Sequence, residues 1–331
     1  MIRPTRTRTA LIALGAVTAL TLGACSSSGG REETGGAADG GEKAKTMTVA
    51  MITHQAPGDT FWDIIRKGAE QAATDTGVTL EYTNDPDATK QAQLIQAAID
   101  KAVDGIAVTD PNTGALGGAI KKAVDGGIPV SMFNAGGPDA LELGAIGYFG
   151  QGETDAGRAV GKRLIEDGAK NVICVIQEQG QQQLEDRCAG VTEGASGAKV
   201  ERIYVNGRDD AAVVTTLQAK LTQDAAVDWI VTLGAQFALD AVKAVDAAGS
   251  SAKIGTFDTN AELVKAVQDG SVAWAIDQQP YLQGYLAVTS LYLFKSNGNV
   301  IGGGQNVATG PAFIDAENIE AVAKFAANGT R

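Results

Sequence analysis

The chain has 331 residues, of which 44% are hydrophobic, and its formal net charge is −12 at pH 7. This length can bury a large core and suits two domains. The acidity, without any basic stripe, argues against nucleic acid as a partner, because that affinity depends on cations that neutralise phosphates. There is no Ser-His-Asp order, nucleophile elbow or phosphate-binding loop, and one histidine limits acid–base chemistry. We therefore expect no enzyme, no catalytic residue and no cofactor.

The first 24 residues have the pattern of an export signal, in which three arginines precede an apolar segment at residues 10–22. That segment is too short for a permanent membrane helix. Its Leu-Gly-Ala-Cys ending resembles the lipobox of bacterial lipoproteins, which implies lipidation of Cys25 and an anchor on the outer face of the cell membrane. An ordinary secretory signal with a chance cysteine is the alternative. Residues 25–45 are rich in Ser, Gly, Glu and Ala, which predicts a flexible tether.

Two cysteines remain after Cys25, namely Cys174 and Cys188. An even pair in an exported protein indicates a disulfide, and two free buried thiols are the alternative. Closing a loop of about 15 residues would stabilise the fold by roughly 3 kcal/mol. A single histidine and the lack of a Cys-x-x-Cys pattern predict no metal site.

From Met47 onward, short apolar runs of strand length alternate with stretches of helical spacing. The first unit is a strand at residues 47–52, a polar turn, and a helix that ends near Gly77, where a left-handed residue is expected. Further strands are predicted at 80–82, 105–109, 128–133, 145–149, 171–176, 200–205, 229–233, 254–257, 272–276 and 311–314. Helices are predicted between them at 87–103, 115–124, 154–165, 182–193, 211–221, 237–248, 261–268 and 281–294. This alternation predicts an α/β fold with two doubly wound parallel-sheet lobes.

Polar residues follow the predicted strands, at the edge where ligands bind in open parallel sheets. Two such edges that face each other would form a cleft, and domain interfaces are favoured ligand sites. An aromatic pair, Phe61 and Trp62, stands at the first loop–helix junction. The strand-end candidates are Asp59, Asp110, Asn134, Asp258, Asp277 and Gln278.

Seven stretches together resemble the type I periplasmic sugar-binding proteins, the ribose-binding-like lipoproteins of ABC importers. They are GDTFWDIIRKGAEQAA, VDGIAVTDPNTGAL, KKAVDGGIPVSMFNAGG, YFGQGETDAGRAVGKRL, LEDRCAGV, IGTFDTN and AWAIDQQPYLQGY, and they extend over residues 47–314. The resemblance implies that the chain crosses three times between the lobes. Lobe I would hold residues 46–149 and 280–309, and lobe II residues 150–279 and 310–331. Periodicity alone would divide the chain once, near Gly150.

The resemblance also implies ligand contacts at particular positions. Asn134-Ala135 departs from the acidic residue and arginine of ribose-binding relatives, and Gly234 replaces an asparagine, so ribose itself is in doubt. The matching positions are Phe61 and Trp62 around the sugar ring, Asp59 before that pair, Arg187 and Asp258 on lobe II, and Gln151 and Gln278 at the hinge.

Plainer interpretations of these residues stay open. The aromatic pair could be core, Arg187 a surface residue, and Asp258 a helix N-cap. Asp110 could belong to a turn without contacting a ligand, and Asp277 could point outward from the strand end. His54 is expected to be structural or solvated.

The resemblance implies a monomeric, extracytoplasmic, lipid-anchored protein. It would capture a monosaccharide or polyol by hinge closure and deliver it to an ABC permease. A nucleoside- or signal-sensing binding lipoprotein is one alternative. A glycoside hydrolase that uses a carboxylate pair is another.

Overall fold

The computed structural model describes residues 46–331, so the predicted export signal, Cys25 and the tether lie outside the described residues. Strands are numbered in chain order: β1 Thr48–Thr53, β2 Thr79–Asn84, β3 Gly105–Val108, β4 Val130–Phe133, β5 Tyr148–Gly150, β6 Asn171–Ile176, β7 Lys199–Tyr204, β8 Trp229–Thr232, β9 Lys253–Phe257, β10 Trp274–Asp277, β11 Val307–Ala308 and β12 Ala312–Asp315. Helices are α1 Phe61–Thr76, α2 Ala88–Asp100, α3 Thr113–Asp125, α4 Glu153–Glu166, α5 Gln182–Gly194, α6 Asp210–Gln223, α7 Ala235–Ala248, α8 Ala261–Gln268, α9 Pro280–Asn297 and α10 Ile319–Ala327.

The strands form two six-stranded sheets, with the orders β11-β5-β4-β3-β1-β2 and β12-β10-β9-β8-β6-β7. All neighbours are parallel except β10 and β12, which pair antiparallel. We call the first sheet, with α1–α3 and α9, lobe I, and the second sheet, with the remaining helices, lobe II. The predicted fold class is confirmed.

Each sheet carries an apolar cluster on both of its faces. The inner strands are therefore nearly continuous apolar runs, as expected of parallel strands covered on both sides. In β1, five of the six residues are buried. Helix α1 ends at Gly77, whose φ of 71° confirms the predicted left-handed residue. Within residues 46–331, no helix is long and apolar enough to span a membrane.

The chain passes between the sheets at residues 151–152, 278–279 and 309–311. These segments join β5 to α4, β10 to α9 and β11 to β12. The three passages are adjacent. Gln279 donates from Nε2 to the carbonyl of Thr309 at 2.7 Å, and Gly310 lies against the backbone of Asp277 and Gln278 and the side chain of Gln151.

Three short elements were not predicted, namely β11, α10 and a 3₁₀ helix at Ile301–Gly304. β11 has only two residues, too few to show a period. The predicted strand at residues 145–149 starts later, at Tyr148. Ala145, the first residue of the predicted strand, closes a turn instead, because its amide donates to the carbonyl of Ala140.

The predicted disulfide between Cys174 and Cys188 is confirmed, with the two Cα atoms 5.9 Å apart. Cys174 lies in β6 and Cys188 in α5, and both are fully buried. The bond therefore ties the helix that carries Arg187 to the sheet beneath it.

We predict that reduction of this disulfide lowers the free energy of unfolding by roughly 3 kcal/mol, because the unfolded chain regains the entropy of an open loop. Urea denaturation with and without a thiol reductant measures the change. The double variant Cys174→Ala/Cys188→Ala is the control and should not respond to reductant. Superimposable wild-type curves, with reduction verified by thiol titration, would contradict the prediction.

Candidate ligand-binding site

A cavity lies between the two lobes, where the carboxyl ends of both sets of parallel strands meet. Lobe I contributes the loop after β1, the start of α1 and the residue after β4. Lobe II contributes the loops after β6, β8 and β9 and the first turns of α5 and α7. The lining residues are His54, Asp59, Thr60, Phe61, Trp62, Asn134, Gln177, Glu178, Gln181, Gln183, Leu184, Arg187, Leu233, Gly234, Ala235, Gln236, Phe237, Asp258, Thr259, Asn260 and Gln278.

Most of the predicted site residues meet in this cavity, and three do not. Asp110 and Gln151 line a second cavity between the lobes, and the Asp110 carboxylate also caps a turn by accepting from the amide of Asn112 at 3.2 Å. Asp277 is fully buried, pairs with Arg331 and accepts from the amide of Gln279 at 2.7 Å. The residues that line the first cavity are Asp59, Phe61, Trp62, Asn134, Arg187, Asp258 and Gln278.

The aromatic wall stands at the start of α1. Phe61 and Trp62 are edge-to-face, with ring centroids 5.5 Å apart, and His54 meets the Trp62 ring at 4.6 Å. Asp59 holds the turn because its carboxylate accepts from the amide of Phe61 at 3.1 Å. Trp62 is buried and belongs to the lobe I core, whereas Phe61 is half-buried. The wall is thus anchored in the core and presented to the cavity. Phe237, an aromatic residue not predicted, faces it from lobe II.

Arg187 is 3% exposed, so it is not a surface arginine. Its guanidinium donates to both carboxylate oxygens of Glu153, at 2.6 and 2.9 Å, and lies 5.0 Å from the centroid of the Phe257 ring. The pair forms because α4 and α5 pack with their backbones in contact. At Gly157 an added Cβ would collide with the carbonyl oxygen of Arg187. Glu153 was not predicted, since at the start of a helix it resembles an ordinary first-turn acid.

Asp258 stands just after β9, in a left-handed conformation with φ of 67°, and it is 6% exposed. Its Oδ1 accepts from Gln278 Nε2 at 2.6 Å. Burial raises the pKa of Asp258 to about 7, although Arg187 acts in the opposite direction. The N-cap of α8 is Asn260, whose side chain accepts from the amides of Glu262 and Leu263, so the capping interpretation of Asp258 is wrong.

Gln278 joins this carboxylate to lobe I. Asn134 donates to Gln278 Oε1 and to Gln283 Oε1, both at 3.3 Å. Asn134 also has a positive φ, 62°, a conformation that asparagine tolerates. A continuous set of side-chain amides thus runs from lobe I through the hinge to Asp258.

Residues 49–298 match the family described as periplasmic binding protein domain. The chain belongs to this family. Among solved structures, a carbohydrate transporter from Acidothermus cellulolyticus in complex with myo-inositol is 56% identical, with a TM-score of 0.85, and the match covers 86% of this chain and 100% of that one. The xylose/arabinose-binding protein of Sulfolobus acidocaldarius is 26% identical over 83% of this chain and 72% of its own length. The ribose import binding protein of Haemophilus influenzae is 25% identical, over 74% of this chain and 84% of its own length.

The lobes of this binding protein contact each other across the cleft through a chain of hydrogen bonds, which we call the cleft bridge. His54 Nδ1 lies 2.7 Å from Thr109 Oγ1 on lobe I, and His54 Nε2 lies 3.1 Å from Gln183 Nε2 on lobe II. On the lobe II side, Gln183 donates to Gln181 Oε1 at 2.6 Å, and Gln181 donates to Glu178 at 2.9 Å. The cleft bridge therefore ends on a carboxylate of the cavity.

The cleft bridge requires neutral His54. An amide nitrogen can only donate, so His54 Nε2 accepts from Gln183 and Nδ1–H donates to Thr109. Burial lowers the pKa of His54 to about 3, and the charge of Arg187 acts in the same direction. Beside it, the amide of Gln182 donates to the carbonyl of Pro111 at 3.0 Å, a second contact between the lobes. The glutamines at 181–183 and Glu178 were not predicted, although a polar run directly after a strand of lobe II was visible in the sequence.

We predict that Gln183→Ala shifts the lobes toward an open arrangement, because it removes the donor to His54 and leaves that acceptor buried. If the closed arrangement loses about 0.5–1.5 kcal/mol of stability, the ratio of closed to open protein falls roughly two- to tenfold. Small-angle X-ray scattering should show a larger radius of gyration. The matched control is Gln182→Ala. Among the described residues, the Gln182 side chain bonds only to Asp186, on the exposed face of α5. Equal radii of gyration for the two variants would contradict the prediction that the cleft bridge favours the closed arrangement.

Proposed function

We propose that the protein is an extracytoplasmic substrate-binding lipoprotein that captures a ring-shaped polyol and delivers it to an ABC permease. The observation that carries the proposal is the cavity between the lobes, which has an aromatic wall on one side and buried hydrogen-bonding groups on the other. The 56% identity to a carbohydrate transporter in complex with myo-inositol supports a cyclitol or a monosaccharide of similar size. The Leu-Gly-Ala-Cys ending before residue 26 supports the lipid anchor.

The chemistry of the cavity suits such a ligand. A polyol ring has apolar C–H faces, which pack on aromatic rings such as Phe61 and Phe237. Its hydroxyls both donate and accept, and the amides of Asn134 and Gln278 can match both roles. Asp258 adds a charged acceptor, whose hydrogen bonds are stronger than those of neutral groups. Discrimination follows because an absent hydroxyl leaves one of these buried groups without a partner.

Closure of the lobes is the step that couples binding to delivery. The aromatic wall belongs to lobe I, whereas Arg187 and Asp258 belong to lobe II, so a ligand contacts both only in the closed arrangement. Binding therefore shifts the population toward that arrangement by the difference in affinity between the two states. The cleft bridge favours the same state. In this proposal the protein performs no chemical step on its ligand.

A ligand panel tests the proposal. Thermal unfolding of the protein without its export signal is followed with cyclitols, monosaccharides, linear polyols, nucleosides and amino acids. A ligand present at 100 times its dissociation constant should stabilise by about 2.7 kcal/mol, a rise in Tm of several degrees. Hits among cyclitols or monosaccharides support the proposal. Hits confined to nucleosides or amino acids, or no hit at all, would overturn it.

We predict that Asp258→Ala raises the Kd for the bound polyol by about 30-fold, since the loss of a buried charged acceptor costs roughly 2 kcal/mol. Isothermal titration calorimetry with myo-inositol measures the change. Asp246→Ala, at an exposed position of α7, is the matched control and should bind as the wild type does. Equal affinities of the two variants would remove Asp258 from the site.

A further inference from the structure

The cavity carries an excess of negative charge. Three carboxylates line it, Asp59 from lobe I and Glu178 and Asp258 from lobe II. Among its lining residues, all within the described part of the chain, Arg187 is the single lysine or arginine. Its charge is already matched by Glu153, in a bidentate pair whose side chains are 4% and 8% exposed. None of the three carboxylates forms an ion pair among the described residues, although Arg208 acts on Glu178 and Arg187 on Asp258 from a greater distance.

These carboxylates repel one another across the cleft. Burial raises the pKa of Asp59 to about 6. Burial also raises the pKa of Glu178 to about 7, although the charge of Arg208 acts in the opposite direction. The charge of Asp59 adds to the rise at Glu178 and also to that at Asp258. Closing the lobes thus brings like charges together in a water-poor space, which a bound cation would relieve.

The carboxylates also have unused acceptor capacity. Asp258 accepts from Gln278 through Oδ1, and none of the hydrogen bonds among the described residues involves its Oδ2. Glu178 accepts from Gln181 through Oε2, and its Oε1 makes no such bond either. Asp258 is more than nine-tenths buried, so its second oxygen can take a donor only from a molecule within the cavity. A ligand that offers hydrogen-bond donors therefore suits this site better than one that offers acceptors.

We propose that the cavity prefers a polyol that carries an amino group, such as an aminocyclitol or an amino sugar, over the parent with a hydroxyl at the same position. This proposal rests on the proposed function, because it concerns the same cavity. An ammonium group offers three donors and no acceptor, and its charge offsets one of the facing carboxylates. It replaces a hydroxyl of similar size, so the ring still fits as in the relative that holds myo-inositol.

The same charges oppose an anionic ligand. A uronate or a phosphorylated sugar would add negative charge beside Asp59, Glu178 and Asp258, and burying an unmatched charge is costly. Asn134 and Ala135 bring no guanidinium from lobe I to offset it. The cavity therefore discriminates by charge as well as by ring shape.

Matched ligand pairs test the preference by isothermal titration calorimetry at pH 7.5. The pairs are myo-inositol against an inosamine and glucose against glucosamine, with glucuronate as the anion. At least one amine should bind tenfold or more tighter than its parent, and glucuronate should bind more weakly than glucose. If neither amine binds tighter than its parent while the parents bind, this inference is overturned and the proposed function stands. Failure of all five ligands to bind would also overturn this inference, and the proposed function would then stand only if another cyclitol or monosaccharide of the ligand panel stabilises the protein.

Two substitutions locate the source of the preference. The double variant Asp59→Asn/Glu178→Gln keeps the shapes of both side chains but removes their charges. The ratio of the Kd of the parent to the Kd of the amine should therefore fall at least fivefold, whatever the change in the Kd for myo-inositol itself. Asp75→Asn, at the exposed far end of α1, should retain the full preference. Melting temperatures of all variants verify folding. An amine preference unchanged in the double variant would overturn the assignment to these carboxylates.

Discussion

The buried ion pair between Glu153 and Arg187 sets both the geometry and the charge of the cavity. Its formation depends on the close approach of α4 and α5, which small residues such as Gly157 permit. A buried guanidinium without its carboxylate would be strongly destabilising, so the pair is held as a unit. Glu153 takes up most of the charge of Arg187. The cavity carboxylates Asp59, Glu178 and Asp258 therefore have no ion-pair partner among the described residues. The packing of two helices therefore underlies the ligand charge that we propose the cleft accepts.

The same region couples the cavity to the movement of the lobes. Arg187 lies one turn beyond Gln183 on α5, so the helix that presents a cavity side chain also carries the donor of the cleft bridge. The disulfide at Cys188 fixes that helix to β6. On the other lobe, His54 contacts Trp62 and thus connects the cleft bridge to the aromatic wall. A ligand that contacts Phe61 and Arg187 therefore acts on the elements that hold the lobes together.

The sequence predicted the fold well because each of its regularities is local. Apolar runs and helical spacing identify strands and helices, and Gly77 shows how a single residue marks a helix end. The resemblance to sugar-binding relatives supplied what periodicity could not, namely three crossings between lobes. The disulfide was also predictable, because an exported chain with two spare cysteines has few other uses for them.

The site was predicted only in part because its groups meet through distant contacts. Glu153 and Arg187 are 34 residues apart, and nothing in their local patterns indicates the pair. Asp277 resembles a strand-end ligand residue, yet the C-terminal Arg331 pairs with it. Glu178 belongs to a polar loop, and the fold alone shows that this loop faces Asp59. Polar residues at strand ends thus identify an edge of the sheet, but only the packing decides which of them enter the cavity.

If a small ligand closes the two lobes, its binding must shorten a distance measured across the cleft. Lys90 and Arg208 are exposed residues of lobes I and II at the mouth of the cleft. Spin labels at Lys90→Cys and Arg208→Cys report their separation by double electron–electron resonance. We expect saturating ligand, either myo-inositol or an inosamine, to convert a broad distribution into a single short distance. If calorimetry shows that the ligand binds but the distance distribution stays the same, binding does not close the lobes.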